Sequence, residues 1–262
     1  MIGSIIGDIV GSVFEHRNIK ITDFKMFNFG ARFTDDTVLT IAIADAILNN
    51  LPYETALRKW GQKYPGSGYG NQFEKWLYSE NPTPYNSWGN GSAMRVGPVG
   101  FAFDSLDKVL DEAKRSAEVT HDHPEGIKGA QAIAAAIFLA RTGISKLDLK
   151  EYISEKFQYD LNRTVKEIRP DYKFDISCQG SVPEAIICFL DSVDYESCIR
   201  LSISIGGDSD TIACMAGGIA QAYYKFIPPD LVAGARERLP AEMIKILEEF
   251  EEMRNDGEEK YF

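Results

Sequence analysis

The stretch SIGGDSDTIACMAGGIAQAYY, Ser204–Tyr224, combines a segment suited to burial with a segment rich in carboxylates. Its second half is a run of apolar and small residues, which is typical of a buried helix. Its first half places Asp208, Asp210 and Thr211 directly after a Gly-Gly pair, and glycines favour a tight turn. The pattern predicts a turn followed by a core helix that begins with two carboxylates.

The other long segments show the same helical spacing of apolar residues, and period-two alternation is scarce. Nothing recurs as a βα unit requires, and no internal repeat or linker interrupts the chain. The sequence therefore predicts an all-α fold and one domain over residues 1–262. Helices are predicted over residues 2–14, 35–49, 54–63, 71–79, 105–118, 125–141, 181–191, 194–204, 210–225 and 240–254.

The first predicted helix carries a glycine at every fourth position, at Gly3, Gly7 and Gly11. Residues at this spacing share one helix face, so a stripe without side chains lets another helix approach closely. Glu15 is next in the same row, and Asp8 lies beside it, because positions 8, 11 and 15 share a helix face. Asp8 and Glu15 form a third acidic site on a segment of core type.

The bulk composition is that of a globular enzyme, with 44% hydrophobic and 26% charged residues. A net charge of −11 argues against a nucleic-acid groove as the main surface. The four cysteines lack metal-site spacing and predict buried free thiols. The apolar N-terminus has no basic region and carries Asp8 early, so it is a poor signal peptide, and we expect a cytoplasmic protein without a membrane anchor.

A second acidic cluster, FTDDT, also precedes an apolar helix, with Thr34 or Asp35 as the predicted N-cap. Capping alone would explain one acceptor at each helix start. Each cluster instead supplies two carboxylates and a threonine, close to a core where unpaired charge is costly. A shared cation would resolve this excess of acid. Carboxylate and hydroxyl oxygens suit Mg²⁺, Mn²⁺ or Ca²⁺, and these acids suffice for two ions.

Two further motifs leave alternatives open. The spacing of His121 and His123 in THDHPEG fits either a ligand contact or a loop that caps the next helix. The glycines of GNGSAMR, Gly89–Arg95, fit a simple turn or a set of backbone N–H groups that bind an anion. Tyr69, Phe73 and Trp88 are candidates to stack on a base, although aromatic residues more often pack in the core.

These motifs together resemble those of the ADP-ribosylglycohydrolase family, which includes dinitrogenase-reductase-activating glycohydrolases and ADP-ribosyl-acceptor hydrolases. The matching segments are GDIVGSVFE, FTDDT, GNGSAMR, THDHPEG, SVPEAI and GGDSDTIA, in the order of the family. The ordered set spans nearly the whole chain. The resemblance implies a compact orthogonal bundle of helices with a dinuclear Mg²⁺ or Mn²⁺ centre at the base of an ADP-ribose cleft.

The resemblance also implies a role for each matching residue. Glu15 and Asp36 become the candidate catalytic residues, and which acid donates or accepts the proton stays open. The implied metal ligands are Thr34, Asp35, Asp36, Asp208, Asp210 and Thr211. The implied substrate-binding residues are Gly68, Tyr69, Gly70, Gly89, Asn90, Gly91, Ser92, Met94, Arg95 and His121.

The implied reaction is hydrolysis of the glycosidic bond at the anomeric carbon of the distal ribose, which releases ADP-ribose from a modified protein or small-molecule conjugate. Alternatives are hydrolysis of O-acetyl-ADP-ribose or an ADP-ribosylated nucleic-acid base, and a non-catalytic, crystallin-like relative. We expect a monomer without a membrane or a stable nucleic-acid partner. The acceptor and the choice between Mg²⁺ and Mn²⁺ stay open.

Overall fold

The computed structural model describes residues 1–258, with side chains through Arg254, and this part of the chain folds into helices without a β-strand. The helices are α1 (Ile2–Gly11), α2 (Asp35–Leu48), α3 (Tyr53–Lys63), α4 (Asn71–Leu77), α5 (Gly91–Met94), α6 (Gly97–Ala102), α7 (Leu106–Glu118), α8 (Pro124–Arg141), α9 (Lys146–Phe157), α10 (Val165–Ile168), α11 (Cys178–Asp191), α12 (Tyr195–Ser204), α13 (Ser209–Tyr224), α14 (Pro229–Arg236) and α15 (Ala241–Glu258). The all-α prediction is confirmed.

Helix α13 lies at the centre of the molecule, where it packs against α1, α2, α8, α11 and α12. Its residues are buried without interruption from Ser209 to Ala220. This burial follows from the small and apolar residues of the segment, because alanine and glycine let several helices approach one axis. The prediction of a core helix that begins at two carboxylates is confirmed.

The glycine stripe of α1 packs against α13, as its spacing predicts. A Cβ atom added to Gly7 would lie 2.1 Å from the carbonyl oxygen of Ala213, and one added to Gly11 would lie 2.4 Å from the Cα of Asp210. No side chain fits at those distances, so only glycine allows this approach. The contact sets Asp210 directly beside the C-terminal end of α1.

Helix α1 is shorter than predicted and ends at Gly11. The chain then tightens, and the N–H groups of Phe14 and Arg17 bond to carbonyls three residues earlier, those of Gly11 and Phe14. The hydroxyl of Ser12 also donates back to the carbonyl of Ile9, a local bond that competes with helix continuation. The prediction that Glu15 lies on the same helix as Asp8 is therefore wrong, because Glu15 belongs to a turn.

Two longer helices were not predicted, α9 and α14. Charged residues are scattered around most of α9, so its apolar spacing is weak. Helix α14 begins at Pro229, directly after Pro228, and is only eight residues long. The four cysteines are buried and unpaired, as expected. Within residues 1–258 no helix combines the length and apolar character needed to cross a membrane. The single domain over residues 1–262 stays a prediction.

Candidate active site

A cleft of about 620 Å³ opens between the N-terminal ends of α2 and α13 and the loops before α4, α5 and α11. All seven predicted catalytic and metal-binding residues line it: Glu15, Thr34, Asp35, Asp36, Asp208, Asp210 and Thr211. Eight of the ten predicted substrate-binding residues line it as well, namely Gly68, Gly70, Gly89, Asn90, Gly91, Met94, Arg95 and His121. The fold thus brings together motifs from both ends of the chain.

The start of α2 is capped without either of its own aspartates. Thr34 is the N-cap, and its hydroxyl oxygen accepts a bond from the N–H of Asp36 at 3.3 Å. Asp8, from α1, accepts bonds from the N–H groups of Thr34 and Thr37 at 2.9 and 3.1 Å and from both of their hydroxyls. Capping is therefore complete, and the carboxylates of Asp35 and Asp36 are left free to point at the cleft.

The start of α13 is built differently. Gly206 and Gly207 both adopt positive φ angles, 73° and 74°, which turn the chain sharply before the helix as predicted. Asp208 is the N-cap residue, but its side chain makes no capping bond. Its carboxylate instead accepts a bond from the side-chain amide of Asn90 at 2.8 Å. Neither acidic cluster is accounted for by helix capping.

The two clusters meet in space. The hydroxyl of Thr211 donates to Asp36 at 3.2 Å, across the gap between α13 and α2. Carboxylate oxygens of Glu15, Asp208 and Asp210 lie within 4.8 Å of one another, and a second group within that distance joins Asp210 to Asp36 and Asp8. Such crowded oxygens form a donor set for hard divalent cations.

The electrostatics of the cluster favour a bound cation. Desolvation, with smaller contributions from the neighbouring carboxylates, raises the pKa of Asp35 to about 8 and those of Asp36 and Asp210 well above their usual range. Desolvation also raises the pKa of Asp208. In addition, Oδ1 of Asp36 is buried and has no hydrogen-bond partner. An orphaned carboxylate oxygen among packed acids fits a metal ligand, since a cation removes both penalties.

Asp8 belongs to the buried acids but is poorly suited to hold a metal. One of its oxygens already accepts three bonds and the other accepts one, all from Thr34 and Thr37. Asp8 is fully buried and does not line the cleft. Its carboxylate ties α1 to the first turn of α2 and so fixes the direction of Asp36.

Glu15 differs from the other acids because it sits on a turn and its side chain is 27% exposed. The turn is fastened by Asn18, whose amide nitrogen contacts the carbonyls of Phe14, Glu15 and Gly207, while its oxygen accepts the N–H of Gly207 at 2.8 Å. Partial burial, followed by the charge of Asp208, raises the pKa of Glu15.

The loop before α4 packs against the start of α2 at Asp35 and forms one wall of the cleft. The N–H of Asp35 donates to the carbonyl of Ser67 at 2.9 Å, and Gly68, at a φ of 114°, lies so close that a Cβ would meet Asp35 Oδ1 at 2.8 Å. Two predicted residues lie outside the cleft lining. Tyr69 turns away to bond the carbonyl of Tyr64, and Ser92 is buried with its hydroxyl on the carbonyl of Gly126.

The GNGSAMR segment and the two histidines form another wall. Gly91 faces the ring of His121, and a Cβ at that position would lie 3.0 Å from Nε2. His123 caps α8 through a bond from the N–H of Glu125 at 3.1 Å, whereas His121 lines the cleft. His123 therefore has the capping role that the spacing allowed, whereas the ligand contact of His121 stays a prediction. Phe73 also lines the cleft, while Trp88 is half exposed outside the lining.

Several lining residues escape the sequence patterns. Phe174 and Ile176 are more than half exposed large apolar residues at the cleft, on the loop before α11. That loop is held by backbone bonds, from Asn90 N–H to the carbonyl of Ile176 at 2.8 Å and from Cys178 N–H to the carbonyl of Trp88 at 3.0 Å. The only sequence signal for this wall is the presence of two large apolar residues in a segment without helical spacing. The other lining residues that no motif covers include Arg32, Asn71, Gln72, Tyr85 and Ser87.

Known proteins share this fold and are similar in sequence over most of the chain. The solved structure of an ADP-ribosylglycohydrolase-related protein complex superposes with a TM-score of 0.66 over 97% of this chain and 92% of the other. The two chains are 22% identical, which supports the fold alone. ADP-ribosylhydrolase ARH3 from Mus musculus is 29% identical across 85% of this chain and 82% of its own length. ADP-ribosylarginine hydrolase Tri1 from Pseudomonas putida is 26% identical across 88% and 72%, respectively. The family model described as ADP-ribosylglycohydrolase matches residues 1–259, and the chain belongs to this family of hydrolases.

Proposed function

We propose that this hydrolase removes ADP-ribose from a modified acceptor by cleaving the glycosidic bond at the anomeric carbon of the distal ribose, with two divalent cations, Mg²⁺ or Mn²⁺. One observation carries the proposal. Two aspartate-rich helix starts, far apart in sequence, converge on one cleft. Within the described part of the chain their carboxylates make no N-cap bond and no ion pair with a basic residue. The alternative of a non-catalytic relative loses support, because every position that the family motifs assign to a ligand carries an oxygen donor.

The residues that would hold the cations are those gathered at the two helix starts. Thr34, Asp35 and Asp36 would contribute from α2, and Asp208, Asp210 and Thr211 from α13. Asp210 belongs to both groups of closely spaced carboxylates, so it would contribute to the donor set of each. When bound, the cations would neutralise the packed acids and polarise the oxygen atoms of the ribose and of a water molecule.

Glu15 and Asp36 are the proposed catalytic acids. Glu15 is accessible from solvent and its pKa is raised, so its carboxyl group can carry a proton to or from the leaving acceptor. Asp36 is buried, and the Thr211 hydroxyl and the first turn of α2 orient it. A buried, fixed carboxylate suits the orientation of a water molecule, whereas a partly exposed one on a turn suits proton exchange.

The remaining walls would hold the ADP-ribose part of the substrate. The cleft volume falls within the usual range of about 300–1,000 Å³ for small-molecule sites. The Gly89–Gly91 segment brings backbone close to the ligand space, and Phe174 and Ile176 add apolar surface to the same cleft. Gly68 and Gly70 line the wall next to Asp35.

The names of the relatives support an ADP-ribosylated substrate, and one of them is an ADP-ribosylarginine hydrolase. For this chain we propose an ADP-ribosylated protein or small-molecule conjugate as the substrate and ADP-ribose as the product. We further propose a single-domain monomer that acts in the cytoplasm, a compartment consistent with four buried free thiols.

A hydrolysis panel tests this function. Purified protein is offered ADP-ribosyl-arginine, ADP-ribosyl-serine, ADP-ribosylated DNA and O-acetyl-ADP-ribose, each with Mg²⁺, Mn²⁺ or excess chelator. We expect release of ADP-ribose from at least one substrate, lost in chelator and restored by added cation. Release from O-acetyl-ADP-ribose or from DNA alone would favour the alternative substrates. Full turnover by metal-free protein in chelator, or no release from any substrate, would reject the proposal.

A further inference from the structure

We propose that Thr120, held in place by Arg95, fixes His121 as the tautomer with its proton on Nε2, so that His121 always offers an N–H donor to an anionic oxygen of the ligand. The chemistry recognised is a phosphate group. This inference deepens the proposed function and rests on it for the identity of the ligand. Thr120 is a positioning residue that acts through His121, and Arg95 holds Thr120 in place.

The chain of bonds begins at Arg95, which is fully buried. Its Nη2 donates to the carbonyl of Ser116 at 2.9 Å and to the hydroxyl oxygen of Thr120 at 2.8 Å. A guanidinium has donors only, so the direction of the second bond is fixed and Thr120 must accept it. The hydroxyl proton of Thr120 is then free to be donated elsewhere.

The ring of His121 is the nearer of two candidate acceptors for that hydroxyl, the other being the hydroxyl of Tyr85. Thr120 Oγ1 lies 2.8 Å from Nδ1 of His121, and Thr120 is fully buried, so its proton needs a protein acceptor. If Nδ1 accepts, the proton of a neutral imidazole sits on Nε2. Burial, together with the charge of Arg95, keeps the pKa of His121 well below its usual value, and the ring is neutral at pH 7.

The donor atom faces the ligand space. Nε2 of His121 lies next to the backbone of Gly91 and Gly89, where added Cβ atoms would be 3.0 and 3.7 Å away, and the residue lines the cleft. No hydrogen bond to Nε2 forms within the described part of the chain. The cleft therefore contains an N–H donor that the protein itself leaves unused.

The surroundings of this donor favour an anion. Arg95 forms no ion pair with any described carboxylate, and its Nε and Nη1 are buried without a hydrogen-bond partner. A buried cation without a counter-charge is costly unless a bound anion compensates it. Arg95 also lines the cleft, so its charge acts on the same ligand space as the His121 donor. A phosphate oxygen satisfies both groups.

Tyr85 offers the competing arrangement, because the hydroxyl of Tyr85 is also a hydrogen-bonding partner of the Thr120 hydroxyl. The ring of Tyr85 lies 6.0 Å from the ring of His121. If Thr120 donated towards Tyr85, the proton of His121 would have to sit on Nδ1 and Nε2 would become an acceptor. An acceptor at that position would repel a phosphate. The two arrangements therefore predict opposite tautomers.

Nitrogen NMR of the histidine rings decides between them. In wild-type protein at pH 7, the signal assigned to His121 by its absence in His121→Gln is expected to show the Nε2–H tautomer. Tyr85→Phe should leave this tautomer unchanged, whereas Thr120→Val should mix the two tautomers and Thr120→Ser should restore the wild-type pattern. An Nδ1–H signal in the wild type, or an unchanged signal in a folded Thr120→Val protein, overturns the proposal.

Ligand binding supplies the second readout. Thr120→Val should weaken ADP-ribose binding by about tenfold, the size of one hydrogen bond, while Mn²⁺ binding stays unchanged and Thr120→Ser recovers the affinity. Equal affinity in Thr120→Val and wild type would overturn the ligand part of the inference. If the wild type shows the Nε2–H tautomer but binds neither ADP-ribose nor inorganic phosphate, the proposed function fails while the tautomer assignment stands.

Discussion

The helix starts at α2 and α13 carry similar sequences, TDDT and DSDT, yet they are built in opposite ways. At α2, Thr34 and Asp8 satisfy the first turn, and Asp8 reaches it from another helix. At α13, the N-cap Asp208 makes no capping bond, and the glycine turn and the close contact with α1 hold the helix instead. In both cases the N-cap bond does not come from a carboxylate that faces the cleft, and Asp210 accepts only the N–H of its neighbour Thr211 at 3.1 Å.

This difference separates acids that stabilise the fold from acids that serve the site. Asp8 is surrounded by donors, whereas Asp36 and Asp210 are crowded by other carboxylates. Removal of the first kind should harm stability, and removal of the second kind should harm activity without unfolding the protein. The following changes test that separation.

The largest effect is expected from Asp36→Asn or Asp210→Asn. Each change keeps the shape of the side chain but removes an anionic metal ligand, so turnover should fall by about 1,000-fold. The metal-free protein should unfold at the same temperature or higher, because one crowded carboxylate is gone. Steady-state kinetics and thermal unfolding without cation measure the two outcomes.

Asp45→Asn is the matched control for these variants, since Asp45 is a buried acid of the same helix α2. Its carboxylate is paired with Lys59 at 2.7 Å and accepts the indole N–H of Trp60 at 2.7 Å. We expect this change to lower the unfolding temperature and to leave metal binding intact. If Asp45→Asn and Asp36→Asn behaved alike, the distinction between the two kinds of acid would be lost.

Asp8→Asn should cost about 2–3 kcal/mol of unfolding free energy, because an amide nitrogen would face donors that now bond to a carboxylate. The first turn of α2 should become exposed, and hydrogen exchange at Thr34 and Thr37 should speed up more than exchange in α13. Denaturant unfolding measures the loss. A variant as stable as the wild type would show that Asp8 does not support this helix start.

The effect of a cation on stability should depend on pH. Without cation, the pKa of Asp35 is about 8, above its unfolded value of 3.8, so the stability that protonation gives is complete below about pH 4 and is lost as the pH rises towards 8. A divalent cation replaces those protons. Added Mg²⁺ should therefore raise the unfolding temperature more at pH 8 than at pH 5, and the difference between the two shifts should be about 3–6 °C. An equal shift at both pH values would contradict this.

The smallest effect is expected from Asn90→Ala, which removes the amide that orients Asp208. The cation concentration at half-maximal activity should rise about fivefold. The change removes a hydrogen bond to the charged Asp208, and a water molecule can partly replace that bond. Activity at saturating cation should stay close to that of the wild type. If maximal turnover falls while the cation dependence is unchanged, Asn90 acts on the substrate and not on Asp208.

Local patterns were enough to predict both acidic helix starts, because each combines a turn or cap signal with an apolar helix behind it. The glycine stripe likewise predicted a close helix partner. The role of Asp8 was not predictable, since it depends on how α1 meets α2 in space. The end of α1 at Gly11 was also missed, because the apolar spacing continues through the turn that carries Glu15.

Other parts of the cleft depend on side-chain directions that spacing does not encode. Tyr69 and Ser92 lie in motifs that line the cleft, yet local bonds to nearby carbonyls turn their side chains away. Phe174 and Ile176 reach the cleft because backbone bonds join their loop to the segment Trp88–Asn90. Such contacts join distant stretches of chain, so no motif contains them.

The most direct test of the central claim is a titration of metal-free protein with Mn²⁺, followed by calorimetry and electron paramagnetic resonance, in the wild type, Asp36→Asn, Asp210→Asn and Asp45→Asn. We predict two Mn²⁺ ions per wild-type chain with coupled spins, binding weakened about 100-fold or more in the first two variants, and wild-type binding in Asp45→Asn. Absence of Mn²⁺ binding in the wild type, or unchanged binding in Asp36→Asn and Asp210→Asn, would contradict the assignment of the two helix starts to one metal centre.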